Sequence, residues 1–386
     1  MQGADATGVN FSGAKMLRLA AKGGNFSNTK MQRVAAKGGD FSKAKLLRVD
    51  ATEGDFSEAK MQGADATGAN FSGAKMQGLA ATRGTFSDAN LQGAAASSAD
   101  FSEAQMQRIN ATNADFSGAK LHGANATAAM LSRAKMQRLA AKGCVFSQAK
   151  LQRVAAAAAD FSQAKLQGAD ATEGDFSEAK MQGADATGAD FSGAKMQGVA
   201  AKDGNFSEAN LQRIGAAAAD VSSANLTRAG AKDADFSKGN LQAATLVRAD
   251  LRGADVNGAQ LQGADVRGAH FGGVRNLANA TLDNLRGAVL NSCDVGGANL
   301  SGVDLSGALL KGVRNLAGAT LGNLRGAVLD GCDVSGVNLS GVDLSGAVLE
   351  GAAVRGRPRL PGGAGGRAAA RRRGCARGRA AGRAAE

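Results

Sequence analysis

The chain of 386 residues contains no Trp, no Tyr, two Pro and two His, and each shortage narrows what it can be. Scarce proline, scarce large aromatics and 55 Gly do not suit a conventional packed globule. They suit a chain that turns constantly and contributes one large side chain per short repeat. No run of about 18 apolar residues occurs, which excludes a transmembrane helix. No charged-then-apolar leader opens the chain either. His122 and His270 stand alone at outward positions, so neither has the partner that a general base or a metal ligand needs. There is no phosphate-binding glycine loop of the Walker type, no HExxH and no CxxC. Ser is abundant only as a recurring residue in one place of a repeat, whereas a catalytic triad needs three different groups converging. Neither catalytic nor cofactor-binding nor metal-ligating residues are therefore assigned, no cofactor is expected, and an enzyme is disfavoured.

What is present is a period of five. The stretch GDFSEAKMQGADATG at 54–68 returns unchanged at 174–188, and in fives it reads GDFSE, AKMQG, ADATG. From Met1 to Phe271 a central residue falls at every fifth position, and all fifteen Phe and nine of the ten Met are such centres. Residues five apart on an α-helix lie about 140° apart and form no stripe. In a continuous strand an odd spacing sends successive centres to opposite faces. A chain that turns a corner every five residues lets each centre point inward on its own short face.

The pattern places Ala or Gly two before the centre, Asp or Asn one before it in twelve of the fifteen Phe repeats, a Phe, Leu or Met centre, and Ser after it. This resembles the pentapeptide repeat family over residues 1–354. The resemblance implies an all-β fold, a right-handed quadrilateral β-helix of four faces and 20 residues per coil, about 18 coils in all, with the centre and the residue two before it inward. Every third centre departs from the family's Leu or Phe by being Ala, as at Ala6, Ala21 and Ala36. Centres cycle with a 15-residue period against a 20-residue coil, so one face reads Phe11, Met31, Ala51, Phe71, and Phe should rarely stack directly on Phe. Ala centres often carry Leu, Val or Ile two before them, as at Leu19, Val34 and Ile109. That is the volume compensation a close-packed interior requires.

Three segments are expected. Residues 1–271 form a regular β-helix in which 1–120 is duplicated as 121–240, an offset of six whole coils. Residues 272–354 continue it with irregular corners, because 273–309 and 312–348 are copies at an offset of 39. Centres there step by six, five and three before fives resume, which predicts distortions near Asn276, Leu285, Asn315 and Leu324. Arg275, Arg286, Arg314 and Arg325 could make those corners a binding patch, although a tolerated, duplicated length change is the simpler account. Residues 355–386 hold ten Arg and one Glu and almost no large apolar residue, so a disordered basic tail is expected.

The formal charge of +12 belongs mostly to that tail, leaving 36 basic against 33 acidic residues in 1–354. A near-neutral body with interleaved Asp and Lys argues for a non-enzymatic rigid scaffold for protein–protein interaction. Family members that mimic DNA and bind type II topoisomerases give the alternative, which needs an acidic surface this body lacks. Ice binding by Thr rows fails because Thr7, Thr52, Thr67 and Thr112 wind around four faces. The partners expected are unidentified proteins, with non-specific polyanion contact through 355–386, no membrane and no small-molecule substrate. Cys144, Cys293 and Cys332 fall at the inward position two before a centre, where free Cys acts as a small hydrophobe. Cys375 is alone in the tail. An intracellular, reduced, cytoplasmic protein is expected. Met1 opens MQGADATG, a string found again at Met61 and Met181, so the start lies inside a repeat and a lost N-terminal part could have carried a leader.

Overall fold

The computed structural model describes residues 1–316 and 321–352. The basic tail expected from the sequence lies outside them. Parallel bridges join each residue before a centre to its equivalent 20 residues on: Asp5 to Asn25, Asn10 to Lys30, Lys15 to Ala35 and Ala20 to Asp40, and so onward. The chain is thus a four-sided β-helix with one pentad per side. We number the faces 1 to 4 by those four starting rungs.

The five N–H groups of a pentad explain why this sequence takes this path. The centre donates to the rung residue of the next coil (Ala6 N to Asn25 O, 2.7 Å), and the rung residue donates back one coil (Asn25 N to Ala4 O, 2.8 Å). The second corner residue donates upward (Gly8 N to Ser27 O, 3.0 Å), and the residue after it closes the turn onto the centre's carbonyl (Ala14 N to Phe11 O, 2.9 Å). The fifth N–H, on the residue after the centre, has no backbone acceptor. The rung Asp or Asn supplies one, as when Asp55 Oδ1 accepts from Ser57 N at 3.0 Å. That local closure is the physical reason for the acidic or amide residue before the centre.

Every regular corner also needs a positive φ at its second residue, the requirement of a type II turn. Gly168 meets it at 61° without cost, while Arg33, Glu53 and Ala158 adopt 54–56°. A side chain in this region costs about 1–2 kcal/mol.

Centres and the residues two before them fill the interior. Phe26, Phe41, Phe56 and Phe176 are no more than 1% exposed. No Phe sits directly above another on one face, as the 15-against-20 arithmetic expects. The rings meet diagonally instead: Phe56 and Phe71 lie 5.5 Å apart at 84°, and Phe176 and Phe191 5.5 Å apart at 74°. A spiral of edge-to-face and tilted ring contacts runs from Phe11 to Phe116 and again from Phe146 to Phe206; at the gap Leu131 takes the centre. Where Gly precedes Phe by two, the ring lies against its Cα. A Cβ at Gly174 would come within 2.6 Å of the Phe176 ring.

After Phe271 the register shifts. Asn276 turns left-handed (φ 61°) and caps a short 3-10 turn, Leu277–Asn279. Asn315, its counterpart 39 residues on, has φ 60°. Face 4 gains a residue (Gln260 to Thr281), and the following rung, Asn284, comes only three residues later. Polar side chains fill the missing backbone contacts. Asp283 accepts from Gly263 N, Asn276 Nδ2 donates to Asp255, and Asn315 Nδ2 donates to Asp294. Among the described residues, face 2 alone carries an unbroken ladder through this region, from Asn10 to Val348.

Candidate interaction surface

Along the body, the rungs of face 2 are mostly polar, as at Lys30, Asp50, Asn70, Asn90, Asn110, Lys150, Asp170 and Asp190, with Gly230 and Met130 the exceptions, the latter 45% exposed. Beyond His270 the same ladder reads Val289, Leu309, Val328, Val348, joined rung to rung. Leu309 and Val348 are 40% and 44% exposed, and Val289 and Val328 are half-buried. The neighbouring faces stay polar at these levels, with Asn284, Asp304, Asn323 and Asp343 on face 1 and Asp294, Arg314 and Asp333 on face 3. One side of the last coils therefore presents a partly exposed aliphatic row.

The shoulders of this row are low. Gly287, Gly307, Gly326 and Gly346 turn the corner before it, and Gly312, Gly331 and Gly351 turn the corner after it. An added Cβ would meet nothing within 4 Å at Gly287, Gly307, Gly312 or Gly331. In the body the same corner positions more often carry longer side chains, some of which pair between coils, as Arg33 does with Glu53 at 2.9 Å and Arg153 with Glu173 at 2.7 Å.

One shoulder is also basic. Arg228, Arg248, Arg267 and Arg286 occupy this edge in consecutive coils, and Arg325 lies two coils further. Arg228 pairs with Glu208 at 3.3 Å and Arg267 with Asp265 at 2.6 Å. Among the described residues no carboxylate lies within 4 Å of Arg248, Arg286 or Arg325. Their field is felt on face 1. The carboxyl of Asp304 is held below its ordinary range first by the Ser306 N–H and further by Arg286, and that of Asp343 first by the Ser345 N–H and hydroxyl and further by Arg325. The opposite shoulder is mixed, with Asn291, Lys311 paired to Asp330 at 3.7 Å, and Glu350.

Of the residues weighed from the sequence, the four arginines do not form one patch. Arg286 and Arg325 line the basic edge, whereas Arg275 and Arg314 are rungs of face 3. His122 and His270 are exposed. Cys144, Cys293 and Cys332 are buried free thiols; burial raises all three, Cys293 to about 11. Among the described residues no group of His, Cys, Asp or Glu is arranged to hold a metal ion, and no helix is long and apolar enough to cross a membrane. The aliphatic row itself escaped the sequence reading. Its signal is an apolar residue immediately before the centre, recurring once per coil in RGAVL, SGALL, RGAVL and SGAVL.

A family model described as pentapeptide repeats matches the chain eight times, at residues 40–78, 55–88, 85–118, 112–148, 159–198, 234–273, 276–314 and 323–356. Among solved structures, the chain is similar to HetL, a pentapeptide repeat protein involved in heterocyst differentiation regulation from the cyanobacterium Nostoc sp. strain PCC 7120. That match has 27% identity, covers 56% of this chain and 88% of that one, and has a TM-score of 0.22. A trypsin-treated form of QnrB1, a plasmid-mediated fluoroquinolone resistance protein, matches at 21% identity over 57% of this chain and 89% of that one, with a TM-score of 0.26. A pentapeptide repeat protein from the Arabidopsis thaliana thylakoid lumen matches at 28% identity over 30% and 63%, with a TM-score of 0.14. No curated protein matches the chain in sequence.

Proposed function

Because the chain belongs to the pentapeptide repeat family, we propose that it is a non-enzymatic, rigid scaffold of about 18 coils, roughly 85 Å long at the strand spacing, that holds a protein partner on face 2 of its last coils. The observation that carries this reading is the row Val289, Leu309, Val328, Val348, partly exposed on the one ladder that, among the described residues, stays bridged through the irregular corners. Contiguous apolar surface rimmed by polar groups marks interaction sites on soluble proteins. The near-neutral body, with Lys beside Asp between neighbouring coils (Asp55 to Lys75, Asp115 to Lys135), offers no acidic stripe for DNA mimicry.

The test is site-specific photo-crosslinking in the native cell. A benzophenone side chain at Leu309 is compared with one at Asn110, a rung of the same face in the body. Defined protein adducts at 309 and none at 110 are expected. Adducts at 110 alone, or equal and diffuse labelling at both, would contradict the assignment.

A further inference from the structure

We propose that the occupant of this surface is an acidic amphipathic α-helix, lying along the coil axis with aliphatic residues on the row and carboxylates toward the arginine edge. The inference rests on the scaffold reading and names its partner. Geometry supports a helix. The four rungs are spaced by the strand repeat of about 4.8 Å, close to the 5.4 Å pitch of an α-helix. One aliphatic side chain per helical turn can therefore follow Val289, Leu309, Val328 and Val348 with a drift of about 2 Å over the row. Glycine corners on both sides, with Ser292 after Val289 the exception, keep the backbone shoulders low enough for a cylinder to settle on the face.

Charge selects the acidic kind. Arg248, Arg286 and Arg325 have no carboxylate within 4 Å among the described residues, and Arg228 and Arg267 extend the same edge. A helix long enough to cover the row brings its flank beside Arg286 and Arg325. One more turn or two reaches Arg267 and Arg248. Glu or Asp on that flank would be met by Arg286 and Arg325 at alternate coils of the row and by Arg248 beyond it, which fixes orientation more than it adds affinity. A second copy of this chain suits the surface less well. The row is only about 14 Å long and one pentad wide, well short of the roughly 800 Å² per partner of a stable interface. The chain's own residues 353–386 carry ten Arg and one Glu, and the arginine edge would repel them.

The experiment uses the full chain and fluorescent 18-residue helical peptides with a Leu row and, on one flank, either Glu or Lys; a third peptide has Gln in place of the Leu row. The Glu peptide is expected to bind at least tenfold more tightly than either control. Arg286→Gln with Arg325→Gln should weaken it about three- to tenfold, as two exposed charge contacts would, and added salt should do the same. Leu309→Asn with Val348→Asn should abolish it while leaving the melting temperature in place, since Asn70, Asn90 and Asn110 occupy the same kind of rung. Equal binding of the Glu and Lys peptides would overturn the proposal. So would indifference to the arginine variants, tighter binding of duplex DNA at the same edge, or a dimer in sedimentation equilibrium that Leu309→Asn dissolves. If the peptides fail while position 309 still crosslinks to a protein, the helix is wrong and the scaffold stands. If both fail, the scaffold reading falls too.

Discussion

The body and the last coils use one backbone plan and arrange their side chains in opposite ways. In the body two spirals of touching Phe rings, Phe11 to Phe116 and Phe146 to Phe206, run through the core, and many corners carry Arg, Glu, Asp or Lys at positive φ. From Asn276 onward the centres are Leu and Val, the regular corners are glycine except Ser292, and the outward rungs of face 2 turn aliphatic. Corner side chains in the body accept backbone strain of about 1–2 kcal/mol each. Their exposed ion pairs return only about 0–1 kcal/mol. What they achieve is a covered, neutral edge. The end relieves the strain at its corners and exposes an apolar face. A repeat protein thus differentiates its surface without changing its fold.

That contrast can be broken most forcefully in the core. Phe176 touches Phe161 and Phe191 at 5.9 and 5.5 Å, so Phe176→Ala should cost about 3–5 kcal/mol. Ser177→Ala, which removes one hydroxyl bonded to Gln197 at 3.1 Å, should cost about 1 kcal/mol or less. Thermal melts showing equal, small effects would refute the inward phase of the centres. At the corners, Gly307→Ala should destabilise by about 1 kcal/mol, whereas Ala158→Gly, already at φ 56°, should be neutral or stabilising by up to about 1 kcal/mol. If both behave alike in urea unfolding, corner strain does not distinguish the two regions.

Acid gives a smaller effect, shared by both regions. N–H donors hold the carboxyls of Asp40 in the body and Asp294 in the end below their ordinary range, through Ser42 and Gly296 respectively. A folded pKa below the unfolded value of about 3.9 contributes stability that is complete above that value and lost as pH falls through the folded one. The melting temperature should therefore be level from about pH 7 to 5 and decline below about pH 4. A fall between pH 7 and 5 would contradict this account.

Much of this was legible in the sequence because the period of five is a geometric statement. Centres such as Phe56 and inward partners such as Ala59 follow from it, and so do the corners at Asn276 and Asn315, where the count breaks. Two things were not legible. The Phe contacts run diagonally between faces, and diagonal neighbours follow only from the handed stacking of coils. The aliphatic row needed to know which face survives the steps of six and three in register. Val289 and Leu309 are 20 apart but Leu309 and Val328 only 19, so a fixed 20-residue count separates residues that the structure stacks.

That stacking is the central claim, and engineered cysteines measure it directly. In a Cys375→Ala background, Leu309→Cys with Val328→Cys places two outward thiols on adjacent rungs, within the Cα separation of about 7 Å that a disulfide tolerates. Val289→Cys with Val328→Cys places them two rungs apart, near 10 Å. Mild oxidation of the folded monomer should close the first pair and leave the second open, as read by mass mapping under non-reducing conditions. An open 309–328 pair, or a closed 289–328 pair, would mean that face 2 loses register in the irregular coils and that no continuous aliphatic row exists.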